Sequence, residues 1–142
     1  MNCTTADVLV DSNILIYAHD LKDTRRDAAI SFLSAGLKTR NLALSVQNLA
    51  ELCRVATEKM RPSTPAEDIR AAILDYLPNV RLLRYGPETV LEALRIKEKS
   101  GTHFYDALLA ATMLENGINT IYTENTHDFE KIPGIKAENP FK

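Results

Sequence analysis

The stretch Asp7-Val8-Leu9-Val10-Asp11-Ser12-Asn13-Ile14-Leu15 decides the fold. A short β-branched run ends at an acid, and a helix-capable segment follows at once. This pattern predicts a strand over 6–10 that delivers the Asp11 carboxylate to the edge of a sheet. A short helix over 12–18 turns Ile14, Leu15 and Tyr17 inward. We take Asp11 as the anchor of an acidic, metal-binding cluster. Its other members come from Glu51, Asp106 and the turn from Glu124 to Asp128.

Working outward, the polar run 19–26 is a loop, and 27–37 is an amphipathic helix with Ala28, Ile30, Phe32, Leu33 and Leu37 on its apolar face. Strand two spans 42–46. One helix runs from Val46 or Gln47 to Met60, with Leu49, Leu52, Cys53 and Ala56 at helical spacing. Thr64 caps the next helix, with Pro65 at its first position, and that helix ends near Leu77. Strand three covers 80–83, and Pro87 opens a helix to about Lys99. The segment 105–116 is apolar nearly all round, as a helix buried in the core must be. Strand four covers 119–122, a turn of helix covers 126–129 and a last short strand covers 135–137. Strands separated by helices predict an α/β fold: three layers, α/β/α, around a mostly parallel sheet of four to five strands.

Length and composition bound the rest. The 142 residues predict a single domain, 1–142. A net charge of −2 excludes a protein whose overall field recruits nucleic acid, so an RNA partner must be held by local basic residues or through cations. The two cysteines, Cys3 and Cys53, form no zinc pattern and point to a reducing, cytoplasmic setting. No signal-peptide pattern and no apolar run of membrane-spanning length is present, so no membrane is involved.

The acids converge by order and direction. Asp11 follows strand one, and Glu51 lies in the first turn or so of the helix after strand two. Asp106 opens the helix before strand four, and Glu124, Asn125 and Asp128 follow that strand. All four segments therefore face the carboxyl ends of the strands, where sites lie in such folds, provided that strand four is central. Clustered carboxylates repel one another, and either protons or a divalent cation must compensate them. Oxygen ligands suit Mg2+ or Mn2+, and such ions serve phosphodiester hydrolysis. Each acid also has a plainer role by itself. Asp11 is a good helix cap, Glu51 a solvated helix acid, Asp106 a first-turn acid and Asp128 a cap for the Phe129 turn.

At these residues the chain resembles the PIN-domain family, and within it the VapC-type toxins of toxin–antitoxin pairs. The resemblance rests on four blocks in order: residues 11–17, Asp-Ser-Asn-Ile-Leu-Ile-Tyr; 45–52, Ser-Val-Gln-Asn-Leu-Ala-Glu-Leu; 104–111, Phe-Tyr-Asp-Ala-Leu-Leu-Ala-Ala; and 122–129 with Asn139-Pro140-Phe141. It implies a metal-dependent endoribonuclease, often dimeric, inhibited by a small antitoxin protein. Asp11, Glu51 and Asp106 match the metal-coordinating acids. Ser12, Asn13 and Thr123 match supporting polar groups. Many relatives have Asp where this chain has Asn125, and others have Asn there with an Asp three residues on. Asp128 is the favoured fourth ligand, and Glu124 the runner-up.

Lys22, Arg25, Arg26 and Arg54 are candidate RNA or antitoxin contacts, and Arg54 has an ion pair to Glu51 or Glu58 as its plainer role. His19 and His103 are candidate proton carriers. The helices over 27–60 and 65–77 are candidates for a dimer face or an antitoxin groove. Two other functions stay open. One is a catalytically impaired module that binds RNA or antitoxin, motivated by Asn125. The other, a phospho-acceptor or acid-nucleophile phosphatase, lacks the paired acids and the Asp-x-Asp it needs.

Overall fold

The computed structural model describes residues 7–142. Cys3 and the expected start of strand one at Ala6 lie outside the described residues. The sheet has five strands: β1 (Val8–Val10), β2 (Leu42–Ser45), β3 (Arg81–Leu83), β4 (Thr120–Tyr122) and β5 (Lys136–Glu138). They lie in the order β3-β2-β1-β4-β5, with every adjacent pair parallel. The crossovers are α1 (Ser12–His19), α2 (Arg26–Thr39), α3 (Val46–Arg54), α4 (Ala66–Tyr76), α5 (Pro87–Ser100), α6 (Phe104–Glu115) and α7 (Thr126–Glu130).

Alternation along the strands explains the layers. Leu9 and Ala43 point to one face, where they meet Ala93 and Ile96 of α5 and the buried run of α6. Val10, Leu42 and Leu44 point to the other and meet Ile14 and Leu15 of α1, Ala29 and Leu33 of α2 and Leu52 of α3. Both faces are covered at the middle of the sheet, so β1 and β2 are buried along their whole length, as parallel strands covered on two sides must be, whereas the edge strands β3 and β5 expose Arg81, Lys136 and Glu138. Helix α6 carries seven consecutive buried residues, Ala107 to Met113, and is the core helix expected from its composition. Gly36 permits α2 to approach β2, since a Cβ there would meet the Leu42 side chain at 2.5 Å.

Three local expectations need correction. The helix from Val46 to Met60 is not continuous: α3 gives way at Val55–Lys59 to a wider π turn, closed by the Met60 amide on the Val55 carbonyl. Thr57 donates its hydroxyl to the Cys53 carbonyl at 2.7 Å, the back-bonding that loosens a helical ladder. Thr64 does not cap α4. Pro65, extended at ψ 141°, takes the cap position with no side-chain hydrogen bond. The hydroxyl of Thr64 instead contacts the Met60 sulfur at 3.8 Å. The last strand begins one residue later than expected, at Lys136.

Position in the sheet is what serves the site. β1 is the middle strand, and β4 lies directly beside it. The condition on strand four is met. The pairing continues past the strand end, where the Asp11 amide donates to the Tyr122 carbonyl at 2.9 Å. Residues 11 and 123 are thereby set side by side at the carboxyl edge.

Candidate active site

Asp11 is the N-cap of α1, and its Oδ1 accepts the Ser12 amide at 2.7 Å. Its Oδ2 accepts the Thr123 hydroxyl at 2.7 Å. The Thr123 oxygen also accepts the Asn125 amide at 2.9 Å and the Asn13 Nδ2 at 3.4 Å. A hydroxyl has one proton to give and two lone pairs to fill, and this one uses all three. Thr123 is fully buried. Capping and clustering therefore coexist at Asp11.

Glu51 is reached from the same corner. The Ser12 hydroxyl donates to Glu51 Oε1 at 2.6 Å, and its oxygen lies 3.4 Å from Asp11 Oδ1. Glu51 is the sixth residue of α3, in its second turn rather than its first. Help from the helix terminus falls off within that distance, so Ser12 is the better account of its place. α3 itself starts with a reciprocal cap: the Asn48 amide donates to the Ser45 hydroxyl, and the Ser45 amide to Asn48 Oδ1, both at 3.0 Å. The Nδ2 of Asn48, buried, leans on Ser12 at 3.5 Å. Asn48 was not among the sequence candidates, although Ser45-x-x-Asn48 before an apolar run carries the signal of a cap.

The opposite wall is built on helix starts. Asp106 is the third residue of α6, and Asp128 the third of α7. Asn125 spans them, with its Nδ2 3.3 Å from Asp106 Oδ2 and 2.9 Å from Asp128 Oδ2. Lys131 lies 3.4 Å from the other Asp128 oxygen. Asn125 is thus the bridge between two acids.

Electrostatics separates the carboxylates. Burial raises Asp11 above the ordinary range, against the lowering effect of the Thr123 and Ser12 hydrogen bonds. Asp106 is pushed up to about 6, first by burial and then by the charges of Asp11, Asp128 and Glu51. Asp128 is held low by the Asn125 amide and Lys131. His103, just before α6, lies near enough for its charge to favour the ionised forms of both Asp106 and Asp128.

The remaining candidates separate. Glu124 does not face the acids: its Oε1 accepts the Tyr17 hydroxyl and Arg25 Nη1, both at 2.6 Å. Arg25 also pairs with Asp23 at 2.9 Å and stacks 3.6 Å over the Tyr17 ring. This clasp occupies Arg25 within the fold, and local sequence does not signal it because Glu124 joins Tyr17, Asp23 and Arg25 from about a hundred residues away. Arg26 and His19 line a cavity with residues 62–65 and Asp68, away from the acids. His19 closes the far end of α1, with Nε2 2.8 Å from the Tyr76 hydroxyl, which removes it as a proton carrier for the cluster. Arg54 shares a groove with Glu51. Its expected ion pair to Glu51 or Glu58 does not form among the described residues.

Among the described residues, no three acidic, histidine or cysteine side chains stand close enough to chelate an ion as they are. Ser12 and Asn125 stand between the acids and hold them apart. The donor set nonetheless suits a hard divalent cation, because it is entirely oxygen and carries unrelieved repulsion at Asp106. Asn13 Oδ1 is buried beside Thr123 without a hydrogen-bond partner, which fits an acceptor for an ion-bound water.

A family model, PIN domain, matches residues 8–135. No curated protein matches the sequence. Several solved structures share the fold. A chain of the VapBC2 complex from Rickettsia felis, bound to a fragment of its promoter DNA, is 21% identical with a TM-score of 0.67, covering 93% of this chain and 97% of that one. VapC20 of Mycobacterium tuberculosis, named as a sarcin–ricin loop cleaving toxin, is 18% identical with a TM-score of 0.68, covering 84% and 90%. A chain of VapBC-1 from nontypeable Haemophilus influenzae is 22% identical with a TM-score of 0.66, covering 95% and 98%.

Proposed function

The chain belongs to the PIN-domain family, and from that premise we propose that its single domain is a divalent-metal-dependent endoribonuclease, the toxin of a VapBC-type pair. One observation carries the reading. Four acids from four separate segments meet at one rim, with Ser12 between Asp11 and Glu51 at 3.4 and 2.6 Å and Asn125 between Asp106 and Asp128 at 3.3 and 2.9 Å, and like charges therefore act on Asp106. Folding does not gain from such repulsion, so a role that needs it is the better account.

Asp11, Glu51, Asp106 and Asp128 are the residues that would hold Mg2+ or Mn2+. Bound there, the cation supplies activation of water and stabilisation of the leaving oxygen of a phosphodiester. The chain's own groups do the rest. Thr123 and the Ser12 amide fix both oxygens of Asp11, and Ser12 aims Glu51. Asn125 donates its side-chain amide to both Asp106 and Asp128 and so links these two acids.

No helix among the described residues is long and apolar enough to cross a membrane. The reading places the protein in the cytoplasm, as a homodimer restrained by an antitoxin. The test is Mn2+-dependent cleavage of RNA by the purified protein, stopped by chelator and lost in Asp11→Asn and Asp106→Asn. Equal cleavage by parent and variants would sink the reading and indicate a contaminating nuclease. Growth arrest on expression, relieved by Asp11→Asn and by a neighbouring short reading frame, tests the cellular role.

A second reading, a binding module without catalysis, is favoured by the separation of the acids around Asn125. Calorimetric titration with Mn2+ decides between them. A defined binding heat that disappears in Asp106→Asn removes the second reading, and no heat in the parent supports it.

A further inference from the structure

Beside the acid cluster lies a groove of about 470 Å³, lined by Gln47, Ala50, Glu51, Arg54, Tyr85 and Tyr105. Residues 47, 50, 51 and 54 share one face of α3, since they are spaced three and four apart. Tyr85 follows β3, and Tyr105 immediately precedes Asp106 on α6. Both rings are open to solvent, Tyr85 at 41% and Tyr105 at 67%. Scattered exposed aromatics need no explanation, but these two flank one groove whose wall includes a member of the acid cluster.

We propose that Tyr85 and Tyr105 form a nucleobase subsite, in which one unpaired base of the RNA stacks while Arg54 meets an adjoining phosphate. The proposal rests on the ribonuclease reading. Exposed aromatic rings accept any base face, and the guanidinium beside them supplies a local cation in a chain whose net charge is −2. Glu51 ties the groove to the reaction, because it lines the groove and also accepts the Ser12 hydroxyl beside Asp11. Gln47 adds a polar reader. Its Nε2 donates to the Tyr105 carbonyl at 2.9 Å, which docks α3 on the start of α6. Its Oε1 is buried and has no hydrogen-bond partner. That acceptor fits a base carrying an N–H donor, such as an exocyclic amine. Substrate preference is therefore set in part by an unpaired base next to the cut, as RNA recognition through splayed bases requires.

The chain has no tryptophan, so its intrinsic emission is that of tyrosine. Two single-stranded RNA hexamers are titrated into the full chain with Ca2+, a divalent that takes oxygen ligands. One is hexaadenylate and the other is abasic throughout. Hexaadenylate is expected to quench the emission. Tyr105→Leu is expected to weaken its binding about tenfold and Tyr85→Leu several-fold, while Tyr105→Phe and Tyr85→Phe bind like the parent. The abasic strand binds parent and Leu variants alike. The subsite is overturned if the Leu variants bind hexaadenylate like the parent, or lose both strands equally. It is also overturned if sedimentation shows that the Leu variants fail to self-associate, which makes the patch an interface between copies. Mn2+-dependent cleavage of ribosomal RNA by the parent separates the two ideas. Cleavage with unaffected Leu variants removes the subsite alone, whereas a parent that neither cleaves nor binds removes both.

Discussion

The two walls of the acid cluster are made differently. The Asp11 wall sits on adjacent central strands, and every hydrogen-bonding position of Thr123 is used. The facing wall sits on the first turns of α6 and α7, joined by one amide, Asn125. The first wall is set by the sheet before any ligand arrives. The second carries Asp106, pushed up to about 6 first by burial and then by the charges of Asp11, Asp128 and Glu51. A preorganised wall facing an adjustable one suits a site that must accept a cation with its own geometric demands.

The harshest way to break this comparison is to remove one charge from each side. Asp11→Asn and Asp106→Asn should each lower Mn2+-dependent cleavage by about three orders of magnitude or more, as members of a unit do. A rate assay on a single RNA substrate checks this, and unequal losses would rank the walls. Thr123→Val sharpens the contrast. It should cost about 10–100-fold in metal affinity and, by stranding Asp11 Oδ2, about 1–3 kcal/mol in stability. Urea unfolding and Mn2+ calorimetry read the two effects. An equal stability loss in Asn125→Ala would erase the claimed difference.

Protons should report on the second wall. The cation competes with the proton on Asp106, so Mn2+ affinity should fall by about tenfold per pH unit below about pH 6. Without metal the sign reverses. A carboxyl raised from 3.8 to about 6 contributes stability that is complete below pH 4 and is lost as the pH rises through about 6. Asp106 is only partly buried, so solvent screening leaves this at about 1 kcal/mol. Asp106→Asn should therefore stabilise the chelated protein at pH 7 by a similar amount while abolishing cleavage. Melting curves in chelator at pH 5 and pH 7 test both statements. The smallest effect is expected for Lys131→Met, whose exposed pair with Asp128 is worth less than about 0.5 kcal/mol.

The frame was legible because the central strands are short apolar runs, Asp11 follows one of them, and Asp106 and Asp128 lie in the first turns of helices, with Glu51 one turn further into its own. Order and direction were enough to bring Asp11, Glu51, Asp106 and Asp128 to one rim. They were not enough to tell Glu124 from Asp128. That choice depends on Tyr17 and Arg25, residues 107 and 99 positions away, which turn Glu124 outward. Nor could they show Asn125 as a bridge, since its two partners come from different helices. The cap at Pro65 and the π turn at Val55 were missed for a related reason. The cap depends on how α4 packs through Ile69 against Ala56 and Met60, and the π turn on that packing together with the Thr57 hydroxyl on the Cys53 carbonyl, neither of which apolar spacing registers.

The strand order has a consequence in time. β4 closes against β1 across more than a hundred residues, and Thr123 reaches back to Asp11 over 112 positions. A nascent chain that has emerged only to residue 119 already holds Asp11, Glu51 and Asp106, yet lacks the strand that locks the first wall and all of Asn125 and Asp128. On the ribonuclease reading, a chain made beside ribosomal RNA gains competence only once residues 120–128 are in place. A chain truncated at residue 119 should leave RNA intact under conditions where the full chain cuts it, and cutting by that fragment would refute the ordering.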